Sequence, residues 1–135
     1  MATWKQFEDM DVWKQACRLV CEIYDLTREE AVSRDFAFRD QIRRSALSVP
    51  SNIAEGFERQ SDRAFANFLD IAKGSCGELR TQLYIAVRLD HVSADRATAL
   101  IEEARRISRM LSGLIKHLRP AGDTPRKEAG EQPPP

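Results

Sequence analysis

Proline is almost missing from the greater part of this chain. Five of its six prolines (Pro120, Pro125, Pro133, Pro134 and Pro135) lie after residue 119, and the sixth is Pro50. Residues 1–118 therefore hold almost nothing that breaks a helix. Aromatic residues make up 7% of the 135, too few for a β-sandwich or barrel, which also needs many turn residues. Cysteines number 3, an odd count without framework spacing, which excludes a disulfide scaffold. Neither sign of charge prevails: 21 Lys and Arg face 21 Asp and Glu. That argues against an obligate, strongly basic nucleic-acid module but leaves a local basic patch open. Uncharged runs fall far short of the roughly 20 residues of a membrane span. The opening MATWKQFEDMDV has no apolar run after a basic start. A secretory signal is not expected, and a reducing cytoplasm is.

What remains is a 42% apolar, 31% charged chain, enough for one core wrapped in solvated helix faces. Val12, Trp13, Ala16, Val20, Ile23 and Tyr24 step by three and four, predicting a helix from Asp9 or Asp11 to about Leu26. TREEAVSRD after it keeps no stripe and reads as a loop with at most a short turn. Phe38, Ile42, Ala46, Val49, Ile53 and Phe57 predict a second helix from near Asp35. The stripe holds its phase across Pro50, which predicts a kinked helix that continues, with Gly56 near its end.

Ser61 or Asp62 caps a third helix, with a stripe from Phe65 to Ala86 and an end near Leu89. Its small residues Gly74, Ser75, Cys76 and Gly77 predict close approach of another helix. Ser93 opens a fourth helix, whose Leu100, Ala104, Ile107, Leu111, Leu114 and Leu118 keep one face. The expected fold is all-α: an antiparallel up-down four-helix bundle over residues 1–118. The Pro- and Gly-rich tail 119–135 has no large apolar residue and is expected to be disordered. Leu47, Tyr84, Ile85 and Val87 fall off the main stripes, which suggests a second buried face and oligomerisation.

Catalytic and metal chemistry find little support. A di-iron bundle needs Glu-x-x-His pairs, but Arg88 precedes His91 at that spacing and Leu114 precedes His117. Cys17, Cys21 and Cys76 read as core thiols rather than zinc ligands, for want of a close fourth ligand. No nucleophile elbow, helical-ribonuclease Arg–His spacing or phosphate loop occurs. The chain reads as a non-enzyme without cofactor or metal. Arginines are the remaining signal. Arg43 and Arg44 lie on the second helix, Arg59 and Arg63 around the turn after it, and Arg105, Arg106 and Arg109 on the fourth. They are candidate phosphate donors, or merely a solvated face with pairs such as Glu102–Arg106.

One segment is too particular for filler. In Ser48-Val49-Pro50-Ser51-Asn52-Ile53-Ala54-Glu55-Gly56-Phe57, a proline and an asparagine interrupt a good helix. If buried, Asn52 and Glu55 need hydrogen-bond partners. Together with FEDMDVWKQACRLVCEIYDLT at 7–27, QIRRSALSVPSNIAEGF at 41–57 and FANFLDIAKGSCGELRTQLYIA at 65–86, the chain resembles the four-helix-bundle proteins of the 23S rRNA intervening-sequence family. The resemblance spans residues 7 to about 118. It implies an up-down four-helix bundle that forms a homopentamer, bacterial in origin. It also implies kinship with the accessory variability determinant of diversity-generating retroelements, whose pentamer binds nucleic acid and a reverse transcriptase. Pro50, Asn52, Glu55, Gly56, Gly74 and Glu78 match the motif and are implied to be structural or subunit contacts. The chain departs from the retroelement branch in being neutral where those proteins look strongly basic. The resulting expectation is a homopentameric scaffold for RNA, DNA or a nucleic-acid enzyme. Its rival is a protein-interaction or structural bundle without nucleic-acid affinity.

Overall fold

Three side-chain oxygens start the three longest helices. Asp35 Oδ1 accepts from the Phe38 amide at 3.2 Å, Ser61 Oγ from Ala64 at 3.1 Å and Ser93 Oγ from Arg96 at 3.2 Å. Each satisfies an amide that the helix itself leaves unpaired. The computed structural model describes residues 4–119. Among them are five α-helices and no strand: α1 Asp11–Arg28, α2 Glu30–Ser33, α3 Phe36–Glu58, α4 Asp62–Arg88 and α5 Ala94–Leu118. The expected tail lies outside these residues from 120 onward.

The stretch read as a loop is more ordered than its pattern suggests. Helix α1 continues to Arg28 because Thr27 is buried and doubly bonded: its hydroxyl donates to the Tyr24 carbonyl at 3.1 Å and accepts from Arg43 Nε at 2.7 Å. The four-residue α2 follows, buries Val32 and carries an Arg34–Glu30 ion pair. Further along the chain, α4 closes through paired bonds. The His91 amide donates to the Ala86 carbonyl at 2.9 Å and the Asp90 amide to Val87 at 3.0 Å. This Schellman arrangement needs a left-handed residue after the helix, and Asp90 supplies it with φ 59°.

The four long helices form a ring of neighbours: α1/α3, α3/α4, α4/α5 and α5/α1. The diagonal pairs α1/α4 and α3/α5 do not approach each other. Short connections make successive helices antiparallel, as expected for an up-down bundle. Ile23, Ile53, Leu79, Leu83 and Leu111 are fully buried at the centre. Each contributes about 1.5–3 kcal/mol through loss of apolar surface from water. Below them, the 3₁₀ turn Phe7–Asp9 brings Phe7 edge-on to Trp13 at 5.3 Å and seats the fully buried Met10.

Pro50 is buried within α3, and the helix runs through it unbroken. At Gly56, α3 packs against α4 with no room for a side chain. A methyl group added there would sit 2.6 Å from Phe68 Cβ and 3.2 Å from the Phe65 carbonyl oxygen. Its absent side chain therefore serves helix–helix contact as well as the nearby helix end. Gly74 and Gly77 correct the sequence reading: a methyl group at either meets nothing within 4 Å. Within one chain the close approach is carried by the buried Ser75 and Cys76 beside them. Gly56→Ala should destabilise the bundle by about 1–3 kcal/mol, as overpacking does. Gly113→Ala, with open space around it, should stabilise by up to about 1 kcal/mol. Urea denaturation of both variants checks the contrast.

Candidate functional site

The seven candidate arginines divide by partner and by position. Arg43 staples α1 to α3: besides its bond to Thr27, its guanidinium lies 4.4 Å from the centre of the Tyr24 ring. Arg59 pairs with Glu55 at 3.0 Å and covers the Phe68 ring. Arg105 pairs with Glu102 at 3.0 Å and donates to the Tyr84 hydroxyl at 3.2 Å. Glu102 thus turns to Arg105, not to Arg106 as spacing alone suggested. Arg44, Arg63, Arg106 and Arg109 are exposed. Because α3 and α5 are diagonal, the fold does not gather the seven into one surface. Its most one-sided stretch is the second half of α5. Residues 104–119 contain no acid, and Arg106, Arg109 and Lys116 are exposed there.

The motif residues converge better, along the seam between α3 and α4. The Ser48 and Ser75 hydroxyls are 2.7 Å apart. Asn52 Nδ2 donates back to the Ser48 carbonyl at 2.7 Å and to its hydroxyl at 2.9 Å. Ser45 Oγ lies 3.2 Å from the Gln41 carbonyl and 3.4 Å from Glu78 Oε2. Pro50 and Gly56 are buried, whereas Glu55, Gly74 and Glu78 are exposed. Beside the seam, Ile71, Gly74, Glu78, Ile85 and Leu89 share one outward face of α4 at helical spacing. Ile71 is 53% exposed and Leu89 49%. One turn beyond Glu78, the side-chain oxygen of Gln82 is buried without a hydrogen-bond partner. Phe36, at the start of α3, is 66% exposed. Leu47, Tyr84 and Ile85 are exposed as expected, but Val87 packs against the core.

The sequence model of the 23S rRNA-intervening sequence protein family matches residues 8–113. The chain belongs to that family. A solved structure of similar fold is a protein of unknown function from the S23 ribosomal protein family of Bacteroides thetaiotaomicron VPI-5482. It is 25% identical, with a TM-score of 0.72, and the match covers 78% of this chain and 98% of the other. Among curated proteins, none matches the chain. The family match runs through the α3/α4 seam and most of α5 alike.

Sequence spacing missed a contact in this family member between residues far apart in the chain. The Schellman turn presents His91 to Asp35, with Nε2 and Oδ2 3.0 Å apart, and Phe38 meets the imidazole edge-on at 5.5 Å. Asp35 thereby uses one oxygen to cap α3 and the other to hold the α4–α5 turn. The His91 bond and the Phe38 amide hold its carboxyl below the usual range. An open concavity of about 420 Å³ beside this pair is lined by Glu29, Asp90, His91, Val92, Ser93 and Arg96. Arg96 and Glu29 form an ion pair within it, and Ser93 is occupied as the α5 cap. Cys76 is buried, which pushes its thiol up to about 11. Burial and the neighbouring Cys21 raise that of Cys17. Among the described residues, no group of three or more His, Cys, Asp or Glu is placed to hold a metal. No described helix is long and apolar enough to cross a membrane.

Asp35 gives a signed pH prediction. A carboxyl with a lowered folded pKa adds stability above its unfolded pKa, ordinarily about 3.8, and loses it as pH falls through the lower folded value. Asp35→Asn retains a capping oxygen but not the charge. It should melt below wild type at neutral pH, with a smaller loss on acidification. Melting curves from neutral to strongly acid pH test this, and parallel profiles would contradict it.

Proposed function

We propose that the chain is a non-enzymatic, self-assembling helical scaffold that presents arginines to nucleic acid or to a nucleic-acid enzyme. The observation that carries this reading is the outward face of α4. Apolar side chains interrupted by Gly74 and Glu78, lying beside a seam of small polar side chains, suit a helix of a second copy. Large exposed apolar side chains lose water on such contact, and Gly74 lets a backbone approach. The unpartnered Gln82 oxygen adds an acceptor that a neighbouring copy can satisfy. In this reading α3 bends at Pro50, where one helical hydrogen bond is missing. The assembly is the homopentamer implied by the family resemblance. Repetition around a ring multiplies the basic half of α5, so that a neutral chain still offers several local positive patches. The relation to the retroelement accessory proteins, implied by the sequence resemblance alone, favours a nucleic-acid partner.

A second reading keeps the assembly and replaces the nucleic acid with a protein partner. It is favoured by the absence of net charge and by Arg43, Arg59 and Arg105 already having internal partners.

Native mass spectrometry of protein purified without nuclease tests both. A pentamer is expected for wild type. Ile71→Asp combined with Ile85→Asp should yield monomers with unchanged helical circular dichroism. A wild-type monomer at every concentration would overturn the assembly. For the partner, affinity for single-stranded RNA should fall steeply with salt as counterions are released. Arg106→Ala with Arg109→Ala should lower the log–log salt slope by about 2 if each arginine meets one phosphate. Absence of binding at low salt would move the proposal to the protein partner.

A further inference from the structure

The three cysteines do not share one environment. Their reading as core thiols holds for Cys76 alone, which is buried, whereas Cys17 is half-buried and Cys21 exposed. Cys17 and Cys21 stand one turn apart on α1, an unbroken helix over Asp11–Arg28. Val12, Ala16, Leu19, Ile23 and Leu26 define the side of α1 that faces the core. At about 100° per residue, Cys21 falls opposite the middle of that side, with Cys17 next to it. Helix α1 does not approach α4, so this outer face is separate from the α4 face invoked for self-assembly. Lys14, three residues before Cys17, and Arg18, three before Cys21, are exposed cations at neighbouring helical positions. Asp25, one turn after Cys21, is tied to Arg28 at 2.8 Å.

Two residues four apart on a helix hold their Cβ atoms about 5–6 Å from each other. A disulfide needs about 3.5–4.5 Å, so the pair does not close on itself while α1 stays helical. A bridging metal ion is a better fit: two metal–sulfur bonds of about 2.3 Å, end to end, span about 4.6 Å. Among the described residues no third His, Cys, Asp or Glu is placed to join the pair. Structural zinc and iron–sulfur clusters call for four ligands. Copper(I), a soft ion that two thiolates in line can satisfy, suits the set that is present.

We propose that Cys17 and Cys21 form a two-sulfur site for copper(I) on the outer face of α1. Binding makes two S–Cu bonds and releases the two thiol protons, and the copper stays monovalent, so no electron is transferred. Burial and the neighbouring Cys21 keep Cys17 a thiol in the free protein, and the metal displaces that proton. The dithiolate complex carries one net negative charge, which Lys14 and Arg18 offset. The bridge also ties two successive turns of α1 together. The proposal is independent of what the assembled protein binds, and it departs from the sequence expectation of no metal.

The test titrates untagged, fully reduced protein without oxygen into the copper(I) complex of bicinchoninate, whose colour reports the copper left behind. Wild type should withdraw one copper per chain. Cys17→Ser and Cys21→Ser should each withdraw none at the same competitor concentration, and Cys76→Ala should match wild type. No withdrawal by wild type, or equal withdrawal by Cys21→Ser, would overturn the site. A second measurement stands even if Cys76→Ala, which opens a cavity, fails to fold. Phenylarsine oxide makes two As–S bonds with a suitably spaced dithiol, its oxygen leaving as water with both thiol protons. One arsenical should add to each native wild-type chain and leave Cys76 as the thiol that maleimide labels after unfolding. Maleimide labelling of Cys17 and Cys21 after that treatment would show that the two thiols do not act together, and would overturn the proposal.

Discussion

The contact at Gly56 sets how α3 and α4 lie against each other. No side chain separates the two backbones there, and a single methyl group would collide with Phe68. Two helices held that closely at one point lose freedom to slide. The rest of their register follows: Ser48 falls opposite Ser75, and Ser45 opposite Glu78. Small hydroxyls fit where larger groups would prise the seam apart, and they bond to each other and to helix carbonyls rather than remaining buried and unsatisfied. The same register turns Ile71, Gly74 and Glu78 outward. The apolar stripe on the surface is a geometric result of the tight seam behind it.

Charge is arranged by a different constraint. With no net charge to spread, the chain segregates what it has. Arginines near acids or aromatic rings are used within the bundle, where a guanidinium can stack and donate at once, as Arg43 does between Tyr24 and Thr27. Of the candidates, Arg44 on α3, Arg63 at the start of α4 and Arg106 and Arg109 on α5 are left exposed. Since α3 and α5 occupy opposite corners, one monomer presents two separate small patches rather than a continuous positive groove.

What was legible in the sequence was local. Ser61, Ser93 and Asp35 announced helix starts because a short oxygen-bearing side chain before an apolar stripe has few other uses. Stripe phase carried α3 through Pro50, since buried spacing outweighs one missing hydrogen bond. Local pattern failed where the decisive partner lay elsewhere. Thr27 extends α1 because Arg43, on another helix, satisfies it. Gly74 and Gly77 read as a packing notch because composition shows that a residue is small, not which way it faces. His91 and Asp35 meet although they are distant in sequence, and no spacing rule connects them. The division of the arginine candidates between opposite corners depends on the order of helices around the ring.

That order also bears on how the chain is made. Three of the four seams join helices that follow one another along the chain, apart from the single turn of α2, so each can form soon after its second helix is complete. The α1/α5 seam alone joins the two ends. During synthesis α1, α3 and α4 can pack while the groove awaiting α5 stays open. The last 25-residue helix both completes the core and seals it. Mostly sequential contacts favour rapid folding once that helix is available. The interval before it arrives is when the chain exposes most apolar surface and is most open to wrong partners.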